Sequence, residues 1–226
     1  MADTIIVASP HGSADTSHVR HHFATAAQQY EAASLGMWTF LITEVLFFGG
    51  LFTSYAIYRS LYPDAFASTS AYMNVVLGGI NTIILATSTL TMAMAVRSAQ
   101  LSRTRSLVNY LSVTFILGTV FLLIKAYEYY SKWSEHLIPG TGFHYANSQL
   151  EHHVQIFFFL YFAMTGMHAL HMIVGMGLLV MLLVKAVRGD FNSEYFTPVR
   201  MIGLYWEFVD IIWIFLFPLL YVIGAR

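Results

Sequence analysis

Apolar residues run through this chain in five long stretches, at about 33–59, 72–97, 106–133, 153–185 and 201–223. None alternates with a period of two along its length, so the pattern predicts helices rather than barrel strands. Each is long enough to cross the ~30 Å hydrocarbon of a bilayer, and the fourth is long enough to tilt or project beyond it. Short punctuated connections separate them: Tyr62-Pro63-Asp64, a basic turn after Arg97, Pro139-Gly140-Thr141-Gly142 and Gly189-Asp190. No internal repeat with a period of roughly 20–50 residues interrupts the order. The expected fold is all-α, a single domain of five transmembrane helices over 33–226. A flexible polar tail over 1–32, holding His11, His18, His21 and His22, precedes it.

Composition agrees with this pattern. Hydrophobic residues make up 57% of the 226 and charged residues only 10%, where soluble domains carry roughly 25%. A net charge of −1 gives no basic stripe for nucleic acid. The chain has no cysteine, which excludes disulfides, thiolate metal sites, iron–sulfur clusters and covalently attached c-type haem. The N-terminus shows no basic-then-apolar cleavable signal, so the first helix is expected to direct insertion. Loops on the side of the N-terminus hold Arg20, Arg97, Arg103, Arg105, Lys185, Arg188 and Arg200, against Arg59, Lys132 and Arg226 on the other. That bias predicts a cytoplasmic N-terminus and an external C-terminus.

Polar groups inside the apolar stretches carry the functional question. Glu44 is the only carboxylate in the first, where an unpaired ionised acid would cost on the order of 3 kcal/mol or more. Lys125 and Glu128, three apart, form an expected structural pair near the outer end of the third helix, with Lys125 snorkelling outward. His168 and His171 share a face of the fourth by the same spacing. Two imidazoles so placed could ligate a metal, yet a catalytic centre wants a third ligand and acceptors behind it. Hydrogen-bonded packing histidines are the favoured reading, and a histidine-ligated membrane metalloenzyme is the alternative. The tail's His18-Val-Arg-His21-His22 has the look of a histidine box of membrane di-iron hydroxylases, but the other histidines fall at the wrong depths. Glu207 and Asp210 place two like charges on one face of the fifth helix and call for a cationic partner. Lys185 and Arg188 end the fourth helix, where cations complement the helix C-terminus and can hold lipid phosphates. Helical rise puts Glu44 roughly 15 Å and His171 roughly 21 Å from the same membrane edge. A direct bond between those two would therefore need tilted helices or an intervening water.

Five segments in order then resemble one family, subunit III of the haem–copper terminal oxidases. They are GMWTFLITEVLFFGGLF from Gly36, Asn81-Thr82, IKAYEYY from Ile124, TGMHALHMIVG from Thr165, and YWEFVDIIWIFLFPLLY from Tyr205. The resemblance implies the short bacterial form, which keeps a five-helix bundle where larger members have seven helices. It implies a cofactor-free accessory subunit of a cytochrome c or quinol oxidase that reduces oxygen to water and pumps protons. Haem and copper would sit in partner subunits, with subunit I in direct contact and subunit II and a small subunit IV in the same complex. The expected roles are to stabilise subunit I, support its proton uptake and bind phospholipid, in a bacterial cytoplasmic membrane. On this resemblance Glu44 matches the family's intramembrane acid, His168 and His171 its histidine pair, and Asp210 its aspartate. Lys185 and Arg188 match basic residues set against lipid headgroups. Glu207 stands where the family usually has histidine, which makes a salt bridge to a neighbouring basic residue the expectation. A subunit III-like partner of a nitric oxide reductase is the related alternative.

Overall fold

The structure, a computed structural model, describes residues 23, 25–70, 72–140, 143–145 and 150–222. The tail histidines at 11, 18, 21 and 22 lie outside the described residues. Among the described residues six α-helices follow one another: α1 (Ala26–Leu61), α2 (Pro63–Ser70), α3 (Val75–Gln100), α4 (Thr104–Ser134), α5 (Glu151–Arg188) and α6 (Thr197–Phe217). Among the described residues, five of these are long and apolar enough to cross a membrane.

The ends of the helices follow local chemistry. Thr25 caps α1, its hydroxyl accepting from the Gln28 N–H at 3.1 Å. The helix therefore starts about two turns before the apolar pattern does, inside the segment expected as tail. Asn74 caps α3 by accepting from the Leu77 N–H at 3.0 Å. Gly189 ends α5 at φ 81°, the left-handed conformation that glycine adopts without strain. The short α2 lies where a simple turn was expected. Pro63 at its first position lacks an N–H that would go unbonded there anyway, and Asp64 complements the helix N-terminus. Pro218 brings no N–H to the ladder of α6, and the chain continues from it as a π-helical turn, Pro218–Val222.

α6 is the centre of the bundle. Of its most apolar stretch 56% is buried, against 11% for α1, which makes α1 a peripheral helix. α3 packs on α4 and α6, α4 on α5, α5 on α6, and α1 on α5 and α6. Three polar side chains that α6 turns toward α3 meet hydroxyls there. Trp206 Nε1 donates to Ser88 at 3.0 Å, Trp213 Nε1 to Thr82 at 3.1 Å, and Asp210 accepts from Thr89. Tyr205 donates to the His171 carbonyl of α5 at 2.8 Å, and Tyr55 of α1 to the Leu219 carbonyl at 2.8 Å. Close approach is set by glycine: a Cβ on Gly118 would lie 2.8 Å from Met176 Sδ, and one on Gly175 would lie 3.0 Å from the Trp206 ring.

This packing predicts a sharp contrast between two glycines of α5. Gly175→Val should cost about 1–3 kcal/mol through overpacking against Trp206. Gly177→Ala, with nothing within 4 Å of the added atom, should cost nothing and can gain up to about 1 kcal/mol of helix propensity. Thermal inactivation of the purified assembly measures both, and equal midpoints would show that Trp206 yields freely.

Candidate functional site

Two polar clusters and one cationic helix end hold most of the residues singled out in the sequence; His168, Glu207 and Asp210 stand apart from them. The first cluster joins α1 to α5. His171 Nε2 lies 3.1 Å from Glu44 Oε2, and its Nδ1 lies 2.8 Å from the Met167 carbonyl one turn back. A carbonyl only accepts, so Nδ1 carries a proton. The Nε2–Oε2 bond then contains one further proton, either as carboxylic acid donating to imidazole or as imidazolium donating to carboxylate. In both forms the pair is neutral overall and holds a proton that can shift between its partners. Both side chains are mostly buried, with 14% and 19% exposure. Phe48 sets its ring edge-on to the imidazole at 5.4 Å, and Tyr205 stacks beside it.

The direct contact departs from the depth expected from sequence, and the helix ends explain it. Glu44 lies about 27 Å along α1 from Ala26, and His171 about 26 Å along α5 from Arg188. The residues added at each end bring the two to one level. His168 does not join them. It points into the bundle between Phe121 and Trp213, is 1% exposed, and neither ring nitrogen has a hydrogen-bond partner among the described residues. The two histidines therefore diverge, one toward α1 and one inward, and only His171 is hydrogen-bonded. Among the described residues, no group of three or more His, Asp or Glu gathers as a metal would require.

The second cluster holds a closed ion pair. Lys125 Nζ donates to Glu128 Oε2 at 3.0 Å, to the Tyr221 hydroxyl at 2.8 Å and to the Tyr161 hydroxyl at 3.3 Å. Both tyrosines donate in turn to Glu128 Oε1, Tyr161 at 2.7 Å. Lys125 is 3% exposed and Glu128 6%, so the expected outward snorkelling is corrected: the ammonium turns into the bundle. The physical reason is the partner set, since three oxygens and the Trp213 face at 5.1 Å replace water there. Sequence spacing gave the Lys125–Glu128 pair. Tyr161 and Tyr221 were missed, because they come from α5 and from the π turn, 33 and 93 residues away from Glu128.

Asp210 is 3% exposed; one of its oxygens accepts from Thr89 and Oδ1 has no partner. Glu207, one turn before it on α6, lines a cavity shared with Arg97 and Arg200. Among the described residues it forms no salt bridge, so the expected ion pair is corrected: the cations stand across a gap rather than in contact. Lys185 and Arg188 occupy the last turn of α5, Lys185 half-buried and Arg188 exposed, without an ion pair among the described residues.

Comparison with known proteins gives a consistent result. The sequence profile of the family described as cytochrome c oxidase subunit III matches residues 14–225. A cytochrome c oxidase subunit 3 from Thermostichus vulcanus is 32% identical over 190 residues, 84% of this chain and 86% of that protein. A heme-copper oxidase subunit I+III from Aeropyrum pernix is 32% identical over 195 residues, 83% of this chain and 22% of that longer protein. A probable quinol oxidase subunit 3 from Staphylococcus haemolyticus is 25% identical over 208 residues, 92% of this chain and 97% of that protein.

Removing one partner of a buried ion pair leaves the other charge stranded, at a cost of about 3–5 kcal/mol. Glu128→Ala should therefore destabilise strongly. The double change Lys125→Met with Glu128→Leu should recover most of the loss, because no charge is then buried. Thermal unfolding monitored on the assembled protein checks this, and a double variant no better than the single would assign the loss to packing.

Proposed function

The chain belongs to the cytochrome c oxidase subunit III family, and from that premise we propose that it is the cofactor-free accessory subunit of a haem–copper oxidase. In this reading it buttresses the haem- and copper-bearing subunit I, supports proton uptake and holds phospholipid at one helix end. Subunit II and a small subunit IV complete the complex, in a bacterial cytoplasmic membrane. The positive-charge bias supports a cytoplasmic N-terminus: Arg97, Arg103, Arg105, Lys185, Arg188 and Arg200 lie at the bundle end where α1 begins, against Arg59 and Lys132 at the other. Contact with subunit I is supported by the Aeropyrum relative, whose name joins subunits I and III in one protein.

The observation that carries the proton role is the Glu44–His171 bond. With Nδ1 committed to Met167, the pair keeps one exchangeable proton without net charge, which an apolar surrounding tolerates far better than an isolated ion. Glu44 is therefore joined to its imidazole partner through one shared proton. That suits a group that retains a proton beside an uptake route, and it does not require the chain to perform redox chemistry.

Glu44→Gln tests this reading. The amide can still donate to Nε2, so the complex should assemble, but the movable proton is lost. Proton uptake during turnover should slow by several-fold, while Glu44→Ala should in addition loosen α1. Wild-type uptake kinetics in the Gln variant would reduce Glu44 to a packing residue. The broader assignment is tested by purifying the chain with its partners, where copper and haem should reside in the other subunits. Phospholipid is tested by Lys185→Gln with Arg188→Gln, since a pair three residues apart offers two donors to one phosphate. Anionic lipid retained on purification should fall, and an unchanged lipid content would leave the pair as an orientation signal only.

A further inference from the structure

Arg97 lies in the last turn of α3 and Arg200 in the first turn of α6, so the antiparallel packing of these helices brings both to one end of the bundle. Between them is a cavity of about 170 Å³, its polar lining completed by Gln100 and Glu207 and its walls kept low by Ala93 and Gly203. A Cβ on Gly203 would come within 2.9 Å of Val96, so the residue is small because the helices meet there. Helical rise orders the lining by depth. Gln100 and Arg200 stand at the mouth, Arg97 follows, and Glu207 lies about 10 Å below Arg200 at the floor.

The charged groups of this cavity are unspent. Among the described residues, no ion pair joins Arg97, Arg200 or Glu207 to any other group. Arg200 Nε is shut off from bulk solvent and has no acceptor, a costly condition unless something not belonging to the chain supplies one. An anion would suit the two cations at the mouth, but the carboxylate at the floor would repel it. Water serves both ends, accepting from Arg200 and donating to Glu207, and the cavity is large enough to hold several molecules. Three residues further along α6, Asp210 is buried with Oδ1 unpartnered, so acidic groups continue inward from Glu207.

We propose that this cavity is an aqueous inlet through which Glu207 exchanges protons with the medium on the side where α1 begins, with Asp210 as the next acceptor inward. A hydronium ion in the inlet gives one proton to the Glu207 carboxylate, leaving water and a carboxylic acid. The charged groups that line the cavity with Glu207 are Arg97 from α3 and Arg200 from α6, and Asp210 of α6, outside the lining, is near enough for the two carboxyls to repel; α1, α4 and α5 contribute nothing to the lining. The site stands apart from the Glu44–His171 pair, which joins α1 to α5, and either can fail without the other.

The chain has no cysteine, so Glu207→Cys introduces a unique thiol into this subunit, at a side chain with no partner to lose. In the assembled complex in vesicles, membrane-impermeant methanethiosulfonates should modify it from the arginine-bearing side, the anionic reagent faster than the cationic one. Arg97→Gln with Arg200→Gln should reverse that preference. Ile211→Cys, one turn along and 50% exposed on the outer face, should stay unmodified. No modification at position 207, or modification only after lipid is stripped away, would overturn the inlet, the second outcome by showing that lipid fills the cavity. Proton exchange is read separately by infrared difference spectra. A carboxylate band that follows the pH of the medium on that side should be absent in Glu207→Gln. A band identical in both proteins would overturn Glu207 as the acceptor.

Discussion

Hydrocarbon offers a polar side chain no partner, so a polar group inside a membrane bundle is stabilised when its own backbone or a neighbouring helix supplies one. The arrangement around α6 follows from that constraint. Trp206, Trp213 and Asp210 on α6 meet Ser88, Thr82 and Thr89 on α3, and Tyr205 meets the backbone of α5. Apolar contact alone would allow α6 to rotate or slide against its neighbours, since lipid is as apolar as leucine. The polar contacts fix its rotation and register, and glycines at 118, 175 and 203 let the backbones come close enough for those contacts to form.

The Lys125–Glu128 knot shows the same constraint at full charge. A lysine and a glutamate buried together are tolerated because two tyrosines saturate the carboxylate and share the ammonium. The knot needs Tyr221 on the far side of Pro218. The missing proline N–H, which a helix would normally treat as a defect, gives the π turn that carries Tyr221 toward α4. A break in α6 and a buried charge on α4 therefore depend on each other.

α1 is held differently. It buries little of its own surface, and beside the buried Leu41 and Phe48 it is fastened by two polar contacts, Glu44 to His171 and Tyr55 to the Leu219 carbonyl. Its outer face carries Leu35, Ile42, Val45 and Leu46, all exposed within this chain. A peripheral helix pinned by one acid–imidazole hydrogen bond depends on that bond in a way that α6 does not. The proposed proton role and the attachment of α1 thus rest on the same bond.

The sequence by itself determined the five spanning helices, their order, the family and the inventory of intramembrane polar residues, because hydrophobic run length and spacing of three are local properties. Lys125 with Glu128 was legible for the same reason: i and i+3 meet on any helix. What surrounds each residue was not legible. Whether Lys125 turned outward or inward depended on Tyr161 and Tyr221, and whether Glu207 met a cation depended on how α3 lies against α6. The pairing of Glu44 with His171 turned on helix ends set by Thr25 and Gly189, which lie beyond the apolar pattern, and on the packing of α1 against α5. Local periodicity fixes which face of a helix a side chain occupies; only the neighbouring helices decide what it touches, because in an apolar medium a polar group turns to whichever partner the packing brings within reach.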